Sequence, residues 1–261
     1  MQPDLSIVIP AYNEAQRLPA TLAAIAAYFA GQARPVEVIV VNDGSTDATA
    51  HVLDHFPAHA GRLTWRLLNN PGNRGKGYSI RHGMLAASGA RRLFTDADLS
   101  APIAELERLE AALDHGADIA IGSRRRELIG ERQSRFRENA GRLFNRIVRV
   151  MLQLPFVDTQ CGFKLFTRES ALAVFPQQRI ERWGFDPELL FIARRCAFRV
   201  QEVPVVWSHA DGAKIHMLRD SLRMFADVAA IRRNAWLGLY QPPAAADASA
   251  LPSGPTRQRI G

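Results

Sequence analysis

The sequence predicts an α/β fold, a mostly parallel sheet with helices on both faces. Three observations predict it. Short apolar runs suited to buried strands alternate with stretches of helical spacing along most of the chain. Polar clusters follow the strand runs, at the sheet edge where ligands collect in such folds. A chain of 261 residues, 47% apolar and 23% charged, can also bury a substantial core as one domain.

The elements follow in order. Leu5 to Pro10 is a first strand closed by proline, Ala11 to Glu14 a loop, and Leu18 to Ala30 a helix. Val36 to Val41 is a second strand. It ends in the tight turn Asn42-Asp43-Gly44, after which Ser45 or Thr46 caps a helix. Leu63 to Leu68 is a third strand, Asn69 to Gly77 a loop, and Tyr78 to Ala87 helical. Arg91 to Thr95 is a fourth strand, Pro102 to His115 a helix opened by Ser100 and Pro102, and Asp118 to Ile121 a fifth strand. Gln133 to Leu154 reads as an amphipathic helix. Leu143, Phe144, Ile147, Val148, Met151 and Leu154 form its apolar stripe, and Arg142, Asn145, Arg146, Arg149 and Gln153 its polar one. Val157 to Phe166 is a loop entering a strand, Phe185 to Arg195 a helix, Phe198 to Trp207 a last strand, and Met217 to Trp236 a helix. From Gln241 the Pro- and Ala-rich composition predicts a disordered tail.

The chemistry concentrates at strand ends: Pro10-Tyr12-Glu14, Asp43, Asp96-Ala97-Asp98 and Ser123-Arg124. Two carboxylates one residue apart can turn toward one cation. Hard oxygen ligands suit Mg²⁺ or Mn²⁺, which keeps open positions for phosphate oxygens. A solvated turn before a helix is the plainer reading of the same dipeptide, and the company of the other polar strand ends favours the metal. Lys76, between Gly75 and Gly77 and just before a helix, suits a phosphate, although the loop is neither a P-loop nor a dinucleotide fingerprint.

Net charge is +7, and nine Arg against three Glu between Arg124 and Arg149 account for most of it. Such a cluster fits an anionic partner: phosphate, nucleic acid or an acidic membrane surface. Few aromatics interleave with these Arg residues, which argues against base stacking and so against nucleic acid. Cys161 and Cys196 make neither a disulfide framework nor a metal spacing, so the expected compartment is the reduced cytoplasm. The polar start Met1-Gln2-Pro3-Asp4 predicts no signal peptide, and no uncharged apolar run is long enough to span a membrane. The Arg-rich amphipathic helix instead fits either packing on the core or a seat at the membrane interface.

Ile9-Pro10-Ala11-Tyr12-Asn13-Glu14, Val41-Asn42-Asp43-Gly44-Ser45-Thr46-Asp47 and Asp96-Ala97-Asp98 resemble the signature of family 2 glycosyltransferases with the GT-A (Rossmann-like) fold. Asp158 to Glu169, Glu181 to Asp186, Glu202 to Trp207 and Gly212-Ala213-Lys214-Ile215 resemble the dolichyl-phosphate β-glucosyltransferases within that family. The resemblance runs from about Leu5 to Trp236. It implies one GT-A domain over 1–240, with a nucleotide-sugar half (about 1–123), an acceptor half (about 124–240) and the tail 241–261. It implies inverting transfer of glucose from UDP-glucose to a polyprenyl phosphate. Pro10, Tyr12, Glu14 and Asp43 would hold the nucleoside, with Lys76, Ala97 and Lys214 also at the nucleotide. Asp96 and Asp98 would hold Mg²⁺ or Mn²⁺, and Arg124, Arg132, Arg135 and Arg137 the acceptor phosphate. A phosphate acceptor needs positioning more than deprotonation, whereas a hydroxyl needs a general base. Asp98 at the metal is one candidate catalytic residue. Asp158 and Asp186 are the spare carboxylates for the base, Asp186 equally an N-cap for its helix.

This chain departs from the family at Asn42, at Ala213 in place of a serine, and at Ser100 where related mannosyltransferases use a Gln near the metal. Two other readings stand beside the main one: a soluble family 2 enzyme acting on a sugar or small hydroxyl compound, and a non-catalytic nucleotide-sugar or nucleic-acid binder. The lipid reading places the protein in the cytoplasm, peripheral on the cytoplasmic face of the membrane through the helix at about 133–154.

Overall fold

Runs of Val and Ile without charge belong in the middle of a parallel sheet, where both faces are covered. The computed structural model describes residues 2–56, 59–124, 146–208 and 217–241. Its strands are β1 (Leu5–Ala11), β2 (Val36–Asn42), β3 (His59–Ala60), β4 (Leu63–Asn69), β5 (Arg91–Phe94), β6 (Ile119–Arg124), β7 (Lys164–Thr167) and β8 (Val200–Val205). They form one eight-stranded sheet in the order β3-β4-β2-β1-β5-β7-β6-β8. β2 is buried along its whole length, its Glu37 included.

The sheet is mostly parallel, as expected, with two exceptions. β3 pairs antiparallel to β4, and β7 runs antiparallel between β5 and β6. The sequence marks the second exception only as a loop entering a strand. Its consequence is functional: β7 begins at the edge where β5 and β6 end, and Lys164 sits opposite both Phe94 and Ile121.

Helices cover both faces, and the two-residue alternation of strand side chains decides which core each residue joins. On one face Ile7, Ile9, Val38, Val40 and Leu165 pack against α1 (Leu18–Phe29) and α3 (Leu106–Asp114). On the other, Val8, Ile39, Val41, Phe94, Ile121 and Phe166 meet five helices. These are α2 (Lys76–Ala86), α4 (described over 146–152), α5 (Arg168–Val174), α6 (Phe185–Arg195) and α7 (Met217–Trp236). α2 lies close on the sheet because Gly83 has no Cβ; one there would stand 2.3 Å from Val8 Cγ1.

Two local expectations are corrected. Asp47, not Ser45 or Thr46, caps the short 3₁₀ helix Ala48–His55, its side chain accepting from Thr49 N. Ser45 and Thr46 are engaged by Asn13: Asn13 N donates to Ser45 Oγ, and Thr46 N donates to Asn13 Oδ1. The stripe expected on the helix ending at Leu154 is partly covered. Of the stripe, Val148 and Leu154 join the core and Met151 faces solvent; Leu152, outside the expected stripe, is also buried, and Val150 is exposed. The earlier part of that helix and the tail beyond Gln241 lie outside the described residues. No helix among the described residues is long and apolar enough to cross a membrane.

Candidate active site

The carboxyl ends of β1, β2, β4, β5 and β6 share one edge of the sheet, which fixes where the polar clusters meet. Past β1 and β2, two loops knit together. Glu14 N donates to Thr49 Oγ1, Ala15 N to Asp47 Oδ2, and Ser45 N to Asn42 Oδ1. Asn13 takes a left-handed conformation (φ 56°), which a short amide side chain tolerates best among non-glycine residues. Tyr12 is left exposed beside this junction, and Pro10 lies within β1, one residue before the strand ends at Ala11 rather than closing it. Burial raises the Glu14 carboxyl above its usual range, opposed by its hydrogen bonds from Arg17.

Asp43 is buried, and its carboxylate is fully engaged. Oδ1 accepts from Asn70 Nδ2 at 2.7 Å and Arg74 N at 2.9 Å, and Oδ2 accepts from Gly75 N at 2.7 Å. Asp43 therefore shapes the loop that presents Lys76. That loop is pressed against residues 180–182: a Cβ on Gly75 would stand 2.6 Å from the Glu181 carbonyl oxygen, which leaves room for glycine only.

After β5 the chain turns sharply through Asp96-Ala97-Asp98-Leu99. Leu99 N donates back to Asp96 O at 3.2 Å, and Thr21 Oγ1 donates to Ala97 O at 2.6 Å. Leu99 is held at φ 46°, a costly conformation for a leucine and of the kind that collects at functional sites. Asp98 Oδ1 accepts from both the backbone N and the hydroxyl of Ser100, so the residue that departs from the family's Gln orients Asp98. Asp96 pairs with the Lys76 ammonium and rests on Gly162, where a Cβ would stand 2.3 Å from Asp96 Oδ2. Burial works to lower the Lys76 pKa, but the charges of Asp96 and Asp186 overcome it and hold the ammonium above its usual range.

The donor set fits a divalent cation. Two carboxylates of hard oxygen sit on one fixed turn, and one of them already binds a cationic group. No cluster of three or more acidic, His or Cys ligands exists among the described residues; a divalent cation held by Asp96 and Asp98 would keep open positions for phosphate oxygens.

The two carboxylates expected to be spare are not. Asp158 receives Arg124 Nε at 2.7 Å, Nη2 at 2.9 Å and the Arg124 backbone N at 3.0 Å. Burial alone would raise the Asp158 pKa; the hydrogen bonds and charge of Arg124 more than reverse this and lower it. Arg124 in turn lies 5.3 Å from the centre of the Trp207 ring. Asp186 receives Lys164 Nζ at 2.5 Å, and it does not cap its helix, where Gly184 holds the N-cap position. Burial raises Asp186, and the charges of Lys164 and Lys76 oppose the rise. Lys164 is 0% exposed and donates also to the Cys161 carbonyl.

The structure thus brings Lys76, Asp96, Asp98, Asp186 and Lys164 to one place, with Arg124 and its partner Asp158 at the end of β6. Arg132, Arg135, Arg137 and Lys214 lie outside the described residues. Sequence reasoning missed Gly162, Lys164 and Asp47. A lone lysine opening the apolar run Leu165-Phe166 was the available signal for Lys164, since buried ammonium groups are found paired.

Residues 6–175 match the family model described as Glycosyl transferase family 2. The chain is 39% identical over 239 residues to a dolichyl-phosphate beta-glucosyltransferase of Drosophila melanogaster, covering 86% of this chain and 73% of that one. It is 36% identical over 251 residues to the Homo sapiens protein of the same name, covering 91% and 77%. A Mycobacterium tuberculosis glucosyl-3-phosphoglycerate synthase, solved with Mn²⁺, UDP and glucosyl-3-phosphoglycerate, shares the fold. Its TM-score is 0.65 at 20% identity, over 88% of this chain and 80% of that one. The fold is GT-A, and the chain belongs to glycosyl transferase family 2.

Proposed function

We propose that this chain transfers glucose from UDP-glucose to a polyprenyl phosphate of the dolichyl type, with inversion at the anomeric carbon and dependence on Mg²⁺ or Mn²⁺. The pairing of Asp158 with Arg124 and of Asp186 with Lys164 carries the choice of acceptor. A hydroxyl acceptor needs a general base, and both candidates are already neutralised by a cation. A phosphate monoester, with a second pKa of about 6, is largely anionic at neutral pH and needs only to be positioned. The identity to dolichyl-phosphate beta-glucosyltransferases spans both halves of the chain, which supports the same donor and acceptor.

In this reading Pro10, Tyr12 and Glu14 line the nucleoside end, and Asp43 holds the 74–75 loop that aims Lys76 at the diphosphate. Asp96 and Asp98 would hold the cation, fixed by the Ala97 turn. Bound there, it would offset charge developing on the departing UDP, a Lewis-acid contribution of several kcal/mol. Arg124, with Arg132, Arg135 and Arg137, would supply the positive charge that positions the acceptor phosphate. The exposed Val150 and Met151 beside Arg146 and Arg149 support a seat on an anionic membrane surface, which would bring the lipid acceptor to the enzyme.

Incubation with UDP-glucose, Mn²⁺ and a short polyprenyl phosphate should yield a glucosylated lipid phosphate. Transfer to soluble hydroxyl compounds with none to the lipid phosphate would overturn the proposal. Replacing Arg146 and Arg149 by Glu should weaken binding to anionic vesicles; unchanged binding would remove the membrane seat.

A further inference from the structure

Trp183 is 66% exposed, and its surroundings show that this exposure is imposed by a clamped segment. Glu188, fully buried, accepts from the backbone N–H groups of Arg179 at 3.0 Å and Ile180 at 2.8 Å. Tyr240 donates its hydroxyl to the same carboxylate at 2.6 Å. Gln178 Nε2 donates to the carbonyls of Gly77 and Ile180, and Tyr78 N donates to the carbonyl of Glu181 at 2.9 Å. Beyond Trp183, Gly184 leaves no room for a Cβ, which would stand 2.4 Å from Asp227 Oδ2. A segment fastened on both sides thus holds a large apolar ring in water. An isolated exposed tryptophan on a loose loop would need no account, but one so braced does.

The ring is also placed. Lys76 Nζ lies 5.5 Å from its centre while contacting Asp96, so the indole looks toward the turn that carries Asp96 and Asp98. A group attached to a diphosphate held at that turn comes within reach of the indole.

We infer that Trp183 is a stacking platform for the pyranose ring of the donor sugar, clamped in place by Glu188 and Tyr240. The inference rests on the UDP-sugar reading above. A pyranose presents a face of C–H groups to an aromatic ring and keeps its hydroxyls at the rim. The contact therefore selects for the sugar and is indifferent to the nucleoside diphosphate. The cation–π contact with Lys76 orients the indole before the donor arrives.

The test titrates UDP and UDP-glucose separately, with Mn²⁺ present, into wild type, Trp183→Ala and Trp183→Phe, by calorimetry. Trp183→Ala should weaken UDP-glucose binding by about tenfold and leave UDP binding within about twofold, with Trp183→Phe retaining most of the affinity. The exposed position predicts unchanged thermal unfolding in both variants. Equal weakening for UDP and UDP-glucose, or no change for either, would overturn the inference while leaving the donor reading intact. A loss seen only in the KM for polyprenyl phosphate would reassign Trp183 to the acceptor's chain and likewise overturn it. Wild type that binds no UDP-sugar would overturn both readings together.

Discussion

Two acidic corners of the same sheet edge, at Asp43 and at Asp96, use identical side chains to opposite ends. Asp43 is closed in by three donors from its own chain, two of them backbone N–H groups, and so fixes the loop before α2. Asp96 meets one ammonium on a flexible stem and the bare Cα of Gly162. A carboxylate satisfied by backbone is scaffold. One balanced by a movable cation can exchange that cation for a ligand. Under the proposed function, Asp96 is the acid that would receive the ligand and Asp43 the one that builds the place for it. The Lys164–Asp186 pair lies between these cases: fully paired, buried, and next to the receptive corner.

The largest effect should come from the receptive corner. Asp96→Asn with Asp98→Asn should lower kcat/KM by about 10³-fold, about 4 kcal/mol of lost transition-state stabilisation. Thermal unfolding should shift little, because Asp98→Asn keeps an Oδ1 acceptor for the Ser100 N–H and Asp96 pairs with the Lys76 side chain. A large fall in Tm would show that this corner is scaffold as well and dissolve the contrast. Lys164→Met should do the opposite. It strands the Asp186 carboxylate in the interior, at a cost of about 3 kcal/mol in stability by denaturant unfolding. Adding Asp186→Leu should restore much of that loss if the pair serves packing alone. Restored stability without restored turnover would place Asp186 in the site.

The receptive corner was legible in the sequence because its signals are local: an apolar run, two acids one residue apart, then Ser100 and Pro102 before a helix. The helix-strand alternation was legible for the same reason, since each element carries its own periodicity. The strand at β7 was legible but its direction was not, because Lys164–Thr167 runs antiparallel between β5 and β6, a placement no local pattern encodes. Lys164 and Gly162 went with it. Their roles depend on pairing with Asp186 and Asp96, each more than twenty residues away. Asp158 could be found as an acid but not as an occupied one, since its partner Arg124 is joined to it only through the folding of β6 against the 156–160 segment.

That clamp offers the next test, with pH as the lever. Asp158 titrates below its ordinary value in the folded state, burial notwithstanding, because Arg124 favours the charged carboxylate. A carboxyl depressed by folding contributes stability that is present above its unfolded pKa of about 3.9 and lost as pH falls through the folded value. Asp158→Asn should therefore destabilise by about 2 kcal/mol at pH 7, a figure kept modest because Arg124 is one third exposed. The gap in Tm between wild type and variant should narrow as pH drops below about 4. A gap that stays constant from pH 7 to pH 3 would mean the Arg124–Asp158 contact is not electrostatic in origin.

The smallest expected effect is the sharpest probe of the contrast, because it adds one methyl group and no charge. In Gly162→Ala the new Cβ would stand 2.3 Å from Asp96 Oδ2 and 2.7 Å from Asp96 Cγ, a clash that only movement of the carboxylate can relieve. The carboxylate is the far end of a short side chain, so the fold should yield there cheaply, with Tm nearly unchanged. The site should not. Displacing Asp96 by a fraction of an ångström would misplace both Lys76 and the cation proposed to bind there, lowering kcat/KM by about tenfold. The Mn²⁺ concentration for half-maximal activity should rise in parallel. The matching substitution at the scaffold corner, Gly75→Ala, meets the backbone carbonyl of Glu181 at 2.6 Å, where nothing soft can give. It should therefore lower Tm before it lowers turnover. If both alanines cost stability and activity in the same proportion, the two corners are one rigid unit, and Asp96 is no freer to exchange its partner than Asp43 is.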